Sequence, residues 1–219
     1  MTNASPPPVA LAIVTCALTL SGCSAPWLGL AGDGGKLRII NQDNPDTMLF
    51  SRFETGIYRY EDQNEVTVLL FDGPLENPSQ AVTIRMLWRP KAGATPIDPD
   101  ATNSTVHYVI LTGKDRDEVG IYSGAGYLYP RVKVGRPSLS ASIWQANLHL
   151  DSSTDGFRDL LGQAMLKGRF SARRDDIETD TALRRLNQLI QERLGYPRLV
   201  HADTSVGNAA GGGEGVISQ

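Results

Sequence analysis

Alternating apolar and polar residues dominate the middle of the chain. Val82, Ile84 and Met86 are separated by Thr83 and Arg85. A period of two is typical of a β-strand that is buried on one face. Similar patterns, and one short apolar run, predict further strands at 36–41, 48–60, 66–71, 106–112, 118–123, 127–134, 139–150 and 164–173.

Two of these segments carry more detailed expectations. In residues 139–150 the alternation places Trp144 on the apolar face together with Ala146 and Leu148. The glycines of Ser123-Gly124-Ala125-Gly126 predict a turn between strands 118–123 and 127–134.

The sequence predicts one helix, over residues 176–194. Asp175 is a helix-capping residue, and Glu178 stands three positions later, as in a capping box. Gly195 and Pro197 are expected to end the helix. An apolar stripe follows the helix and is expected to cover a sheet; it consists of Ile177, Leu183, Leu186, Leu189, Ile190 and Leu194. The predicted fold is mainly β, an antiparallel β-sandwich or partial barrel of about eight strands with this one C-terminal helix.

The N-terminus contains an uncharged apolar run over residues 9–20. Twelve residues are too few to cross a hydrocarbon core of roughly 30 Å, but they match the length of a signal-peptide core. The run leads into Leu20-Ser21-Gly22-Cys23. This tetrapeptide resembles the lipobox of bacterial lipoproteins, which implies cleavage between Gly22 and Cys23 and lipidation of Cys23.

The resemblance divides the chain into four parts. Residues 1–22 would be the signal peptide, 23–35 a lipidated tether, 36–200 a single β-rich domain, and 201–219 a disordered Gly/Ala-rich tail. It also implies a location in the cell envelope, lipid-anchored. Ser24, in place of Asp, favours the outer membrane over the inner membrane, on its periplasmic or exterior face.

The composition and the motifs of the chain limit the ligands and reactions that the sequence predicts. The net charge of −3 argues against nucleic acid as a partner. Cys16 and Cys23 are the two cysteines, so the predicted domain has no thiol for a disulfide or a metal. His107, His149 and His201 lack the spacing of metal ligands, and Ser123 does not match the nucleophile-elbow motif. The sequence therefore predicts no catalytic residue, no metal site and no cofactor.

A cationic surface is the clearest candidate site. Lys167, Arg169 and Arg173 alternate along one predicted strand, and Arg131 and Lys133 alternate along another. If these strands are neighbours, the five side chains form a basic sheet face that can meet anionic lipid headgroups or an acidic envelope polymer. A solvated face whose charges prevent edge pairing is the other interpretation.

Two functions follow. In the first, the protein is a non-catalytic, membrane-tethered lipoprotein whose β-rich domain binds an envelope protein or an anionic envelope polymer. In the second, it is a cell-envelope hydrolase that uses loop carboxylates, with or without Ca²⁺. The candidate carboxylates are Asp43, Asp46, Asp98, Asp100, Asp115, Asp117 and Glu118. The absence of a catalytic motif favours the first.

Overall fold

Nine β-strands and one α-helix make up residues 33–91 and 101–199, the part of the chain that the computed structural model describes. The strands are β1 (Gly34–Asn41), β2 (Met48–Phe53), β3 (Thr55–Tyr60), β4 (Val66–Asp72), β5 (Gln80–Met86), β6 (Ser104–Thr112), β7 (Glu118–Pro130), β8 (Ser138–Ser153) and β9 (Ala164–Arg174). The helix α1 (Asp176–Leu194) follows directly. The prediction of a mainly β fold with one C-terminal helix is confirmed.

The strands form one sheet that bends into a ring-like arrangement without becoming a barrel. Strands β3 to β8 pair in chain order, each antiparallel to the next. Strand β9 then lies between β8 and β1. Its end also reaches β3 in parallel, through Arg173 opposite Ile57 and Arg174 opposite Tyr58. Strand β2 pairs with the free side of β1 and forms the edge.

An inner core fills the space that the sheet encloses. It takes alternate residues from every strand, and Tyr58, Tyr108 and Tyr122 are the largest of its fully buried side chains. A second core lies between α1 and the outer face of β3 to β7, where Leu183, Leu186 and Ile190 belong to the helix. Both cores and every strand pairing fall between Gly34 and Leu199, so this part of the chain provides its own hydrophobic core.

Both ends of α1 lie where its capping residues predict. The Asp175 side chain accepts a hydrogen bond from the Glu178 amide at 2.9 Å. Gly195 adopts the left-handed conformation at φ 84°, and its amide donates to the carbonyl of Gln191. The prediction for Ile177 is wrong, because this residue lies in the first turn with 80% of its surface exposed and outside the stripe.

Two strand predictions also need correction. The segment 48–60 is two strands, β2 and β3. Strand β2 pairs with β1 as far as Phe53, and after Glu54 strand β3 pairs with β4 instead. The glycine-rich segment 123–126 is not a turn but the middle of β7. A Cβ on Gly124 would lie 1.8 Å from the Asn147 carbonyl oxygen, so glycine is required here by the close approach of β8.

The predicted signal peptide, Cys23 and the tail 201–219 lie outside the described residues. Within the part that the structure describes, no helix has the length and apolar character to span a bilayer.

A candidate cationic and aromatic binding face

Four cations form cross-strand pairs on the outer face of β1 and β9. Lys36 lies opposite Arg169, and Arg38 lies opposite Lys167. Their side chains point outward because alternate positions such as Leu37 are buried in the inner core. Arg52 of β2, which lies opposite Lys36, adds a fifth cation in the same row. We call these five residues the cationic cluster: Lys36, Arg38, Arg52, Lys167 and Arg169.

No member of the cationic cluster forms an ion pair with a carboxylate in the described part of the chain. Elsewhere the fold does neutralise arginines, for example Arg174 with Asp176 at 2.9 Å. Like charges that lie directly opposite each other destabilise a sheet. The cluster therefore does not contribute to stability through its charges, and it leaves a concentrated positive surface open to an anion.

A β-bulge in β8 brings an aromatic side chain to the edge of this cluster. The register of β8 shifts between Ile143 and Ala146 against β9, where Trp144 and Gln145 together oppose Lys167. The same two residues oppose Tyr127 on β7. The extra residue turns Trp144 outward, so the prediction that it shares the apolar face of Ala146 is wrong; 53% of its surface is exposed.

Trp144 belongs to a row of four aromatic rings. Its ring stacks on Tyr129 with centroids 5.9 Å apart and contacts Tyr127 at 6.1 Å. Tyr127 in turn meets the edge of Trp88 at 6.1 Å. We call Trp88, Tyr127, Tyr129 and Trp144 the aromatic row. It borders the cationic cluster on the side of β8, away from β2.

Phe50 borders the cationic cluster on its other side. It lies opposite Arg38 in the β1–β2 pairing and is 68% exposed. The Arg38 guanidinium lies 5.2 Å from the centre of the Phe50 ring, within the range of a cation–π interaction. The cations are thus flanked by aromatic rings on both sides.

A shallow groove of about 670 Å³ runs between these groups. It is lined by Lys36, Arg38, Phe50, Ser142, Ile143, Trp144, Lys167, Gly168 and Arg169. A second groove adjoins it and is bordered by Asp33 and Gly34. The chain preceding β1 therefore joins the domain at the margin of the cationic cluster.

The structure brings together only part of the basic surface that the sequence predicts. Lys167 and Arg169 belong to the cationic cluster. Arg173 also points outward from β9, but it is paired with Asp175 at 2.9 Å and Glu178 at 2.7 Å. Arg131 and Lys133 follow Pro130, the last residue of β7. Strand β8 lies between β7 and β9, so the two strands that the sequence would need as neighbours are not adjacent.

Sequence reasoning missed three members of the cluster. Lys36, Arg38 and Arg52 lie on strands β1 and β2, which are far from β9 in sequence. The alternation of Lys36, Leu37, Arg38 and Ile39 was a signal that these cations face outward. Their position beside Lys167 and Arg169 depends on the return of β9 to β1, which no local pattern shows.

Ser123 and two histidines lie in one cross-strand row. His107 and His149 are the residues opposite Ser123 on β6 and β8. The Ser123 hydroxyl donates to Asp151 at 3.3 Å. Arg198 hydrogen-bonds the same carboxylate and is the main cause that lowers the pKa of Asp151. The serine thus contacts a carboxylate that Arg198 also binds, and a carboxylate whose pKa is lowered is a weak general base. His201 lies outside the described residues.

The acidic loop residues lie on several connections. Asp43 and Asp46 are between β1 and β2, whereas Asp115 and Asp117 precede β7, which begins at Glu118. Asp98 and Asp100 lie outside the described residues. Among residues 33–91 and 101–199, no three His, Cys, Asp or Glu side chains gather in a metal-binding arrangement.

Comparison with known proteins was made at three levels. No family model matches the chain, and neither the curated proteins nor the solved structures gave a match. The function must therefore be argued from the geometry of the face.

Proposed function

We propose that this protein is a non-catalytic, lipid-tethered lipoprotein whose β-rich domain binds an anionic component of the cell envelope. The observation that carries the proposal is the cationic cluster, five positive side chains without a carboxylate partner in the described residues. They project from paired strands, so the backbone positions of the site are fixed before a ligand arrives. The resemblance at Cys23 supports the lipid tether and an outer-membrane location.

The charge distribution supports an anionic ligand. The chain has a net charge of −3, so the cationic cluster is a local feature on an acidic protein. A local patch of one sign attracts ligands of the opposite sign and orients their approach. The flanking rings add apolar contact and cation–π contacts, which make the face suited to a ligand with both charged and apolar parts.

Three carboxylates are engaged within the protein, and one of them, Glu118, belongs to the loop carboxylates of the hydrolase hypothesis. Asp151 is bound by Arg198, Asp159 accepts the hydroxyl of Tyr122 at 2.5 Å, and Glu118 accepts that of Thr154. Each of these carboxylates has a partner from its own chain. A pair of carboxylates that acts as acid and base needs contact with substrate instead.

Binding of soluble polyanions tests the proposal. The probes are polygalacturonate and poly(glycerol phosphate), with neutral dextran for comparison. We expect the wild type to bind both polyanions, more weakly as salt rises, and not to bind dextran. The double variant K36E/R169E should lose at least tenfold in affinity, because it replaces two attractive charges with repulsive ones.

The control is R184E/R185E, which makes the same charge change on the exposed side of α1. The apolar face of this helix packs on β3 to β7. Equal losses in both double variants would show that net charge alone determines binding and would contradict a site at the cationic cluster. Failure of the wild type to bind both the polyanions and vesicles of anionic lipid would reject the proposal.

A further inference from the structure

The binding face carries exposed apolar side chains as well as cations. Phe50 and Trp144 lie on either side of the cationic cluster, and Tyr129 and Met48 are also exposed, by 44% and 39%. Met48 is on the outer face of β2, opposite Ile40. At the surface of a bilayer, aromatic rings lie at the level of the headgroups while Lys and Arg reach lipid phosphates. The composition of this face matches that environment.

The width of the face also favours a broad partner. Its residues come from five adjacent strands, β2, β1, β9, β8 and β7. At a spacing of about 4.8 Å, five strands span about 19 Å. A single polymer chain would follow one row of side chains, whereas a membrane surface can contact Phe50, Trp144 and all the cations between them together.

The point at which the described chain begins lies at the margin of the face. Asp33 and Gly34 share a groove with Lys36, Arg52 and Arg169. Gly34 follows Cys23 by 34 − 23 = 11 residues, and 11 residues extend at most about 40 Å. A lipid on Cys23 would therefore hold the edge of the face close to the bilayer. An acyl anchor together with a basic patch is the combination that gives stable attachment.

We infer that the cationic cluster and its flanking aromatic side chains form a docking surface for an anionic phospholipid bilayer. The inference rests on the proposed function, because it names the anionic partner of the same face. In the docked state the four cations of β1 and β9 contact lipid phosphates, and Phe50 and Trp144 enter the headgroup region.

Vesicle co-sedimentation tests the inference without the lipid anchor. The protein is the chain 23–219 with Cys23→Ser, which retains both cores. The vesicles are pure phosphatidylcholine or phosphatidylcholine with one quarter phosphatidylglycerol. We expect binding to the anionic vesicles only. Each Lys or Arg near an anionic surface contributes about a fivefold gain in partition, so K36E/R169E should lower binding by about 25-fold or more. R184E/R185E should stay within about twofold.

Quenching of Trp144 fluorescence measures the orientation of the domain. In a W27F/W88F background Trp144 is the remaining tryptophan. Lipids brominated near the headgroup should quench its emission in anionic vesicles, and the K36E/R169E variant should not be quenched. Circular dichroism of each variant shows whether the fold is retained.

The outcomes separate this inference from the proposed function. Binding of soluble polyanions without binding of anionic vesicles would overturn the membrane assignment and leave the proposed function standing, with an acidic polymer as the partner. Equal binding to both vesicle types, or an unquenched Trp144 on anionic vesicles, would also overturn it. Failure to bind both vesicles and polyanions would reject both.

Discussion

Lys36 and Arg169 lie directly opposite each other in the antiparallel pairing of β1 with β9, and both side chains are exposed on the same face. Arg52 lies opposite Lys36 on its other side, so one lysine has a cation on each neighbouring strand. This arrangement opposes folding, because each strand pairing brings like charges together. A bound anion would relieve this repulsion, so the proposed function predicts that the stability of the cationic cluster rises with its occupancy.

Lys36→Glu should therefore make the domain more stable and weaken its binding. Glutamate would lie between Arg169 and Arg52, so repulsion becomes attraction on both sides. We expect the free energy of unfolding to rise by about 0.5–1 kcal/mol, measured by urea denaturation at low salt. Lys133→Glu, a change on an exposed loop residue, is the control and should leave stability nearly unchanged. A less stable K36E would show that repulsion within the cluster is negligible.

Gly168→Ala should destabilise the domain at the centre of the binding face. A Cβ at this position would lie 2.3 Å from the Lys36 carbonyl oxygen, which belongs to the backbone and cannot move without disturbing β1. We expect a loss of about 1–3 kcal/mol in the free energy of unfolding, the usual cost of overpacking. Ser171→Ala, three residues away on β9, should change it by less than about 1 kcal/mol. Equal losses of stability in the two variants would mean that β1 can move to accommodate the added methyl group at position 168.

The β-bulge in β8 predicts opposite roles for Trp144 and Leu148, which the sequence pattern places on one face. Trp144→Ala should cost less than about 1 kcal/mol of stability, because the indole is half exposed, but it should weaken binding. Leu148→Ala should cost about 2–5 kcal/mol, because Leu148 is fully buried in the inner core. Thermal or urea unfolding of the two variants measures the difference. A large loss of stability in W144A would show that the indole contributes to the core.

The boundaries of α1 could be predicted from the sequence, whereas only Lys167 and Arg169 of the cationic cluster could. Asp175 and Gly195 act within a few residues of their own positions, so a local pattern is sufficient for a helix end. The outward position of Trp144 depends on a register shift against β7 and β9, which only the paired strands define. The turn predicted at Gly124 is wrong because the glycine is required where β8 closely approaches β7. That approach is a tertiary feature, which the local sequence does not show.

The Asp151–Arg198 ion pair should make stability fall in acid. Hydrogen bonding by Arg198 is the main cause that lowers the pKa of Asp151 in the folded protein, although partial burial opposes it. In the unfolded chain an aspartate has a pKa near its ordinary value of about 3.9. Above that value the pair contributes its full stabilisation. As pH falls toward the lower folded pKa, the unfolded chain binds the proton first, and the contribution is lost.

Asp151→Asn should accordingly lower the free energy of unfolding by about 0.5–1 kcal/mol at neutral pH, the scale of a partly exposed ion pair. The difference between variant and wild type should shrink as pH is lowered below 4, because protonation removes the same charge from the wild type. Urea denaturation between pH 2 and 7 measures this convergence. Asp155→Asn, on an exposed loop, is the matched control and should leave the free energy of unfolding nearly unchanged at neutral pH. A constant difference for D151N at every pH would show that the side chain acts through packing, since a change in packing does not titrate.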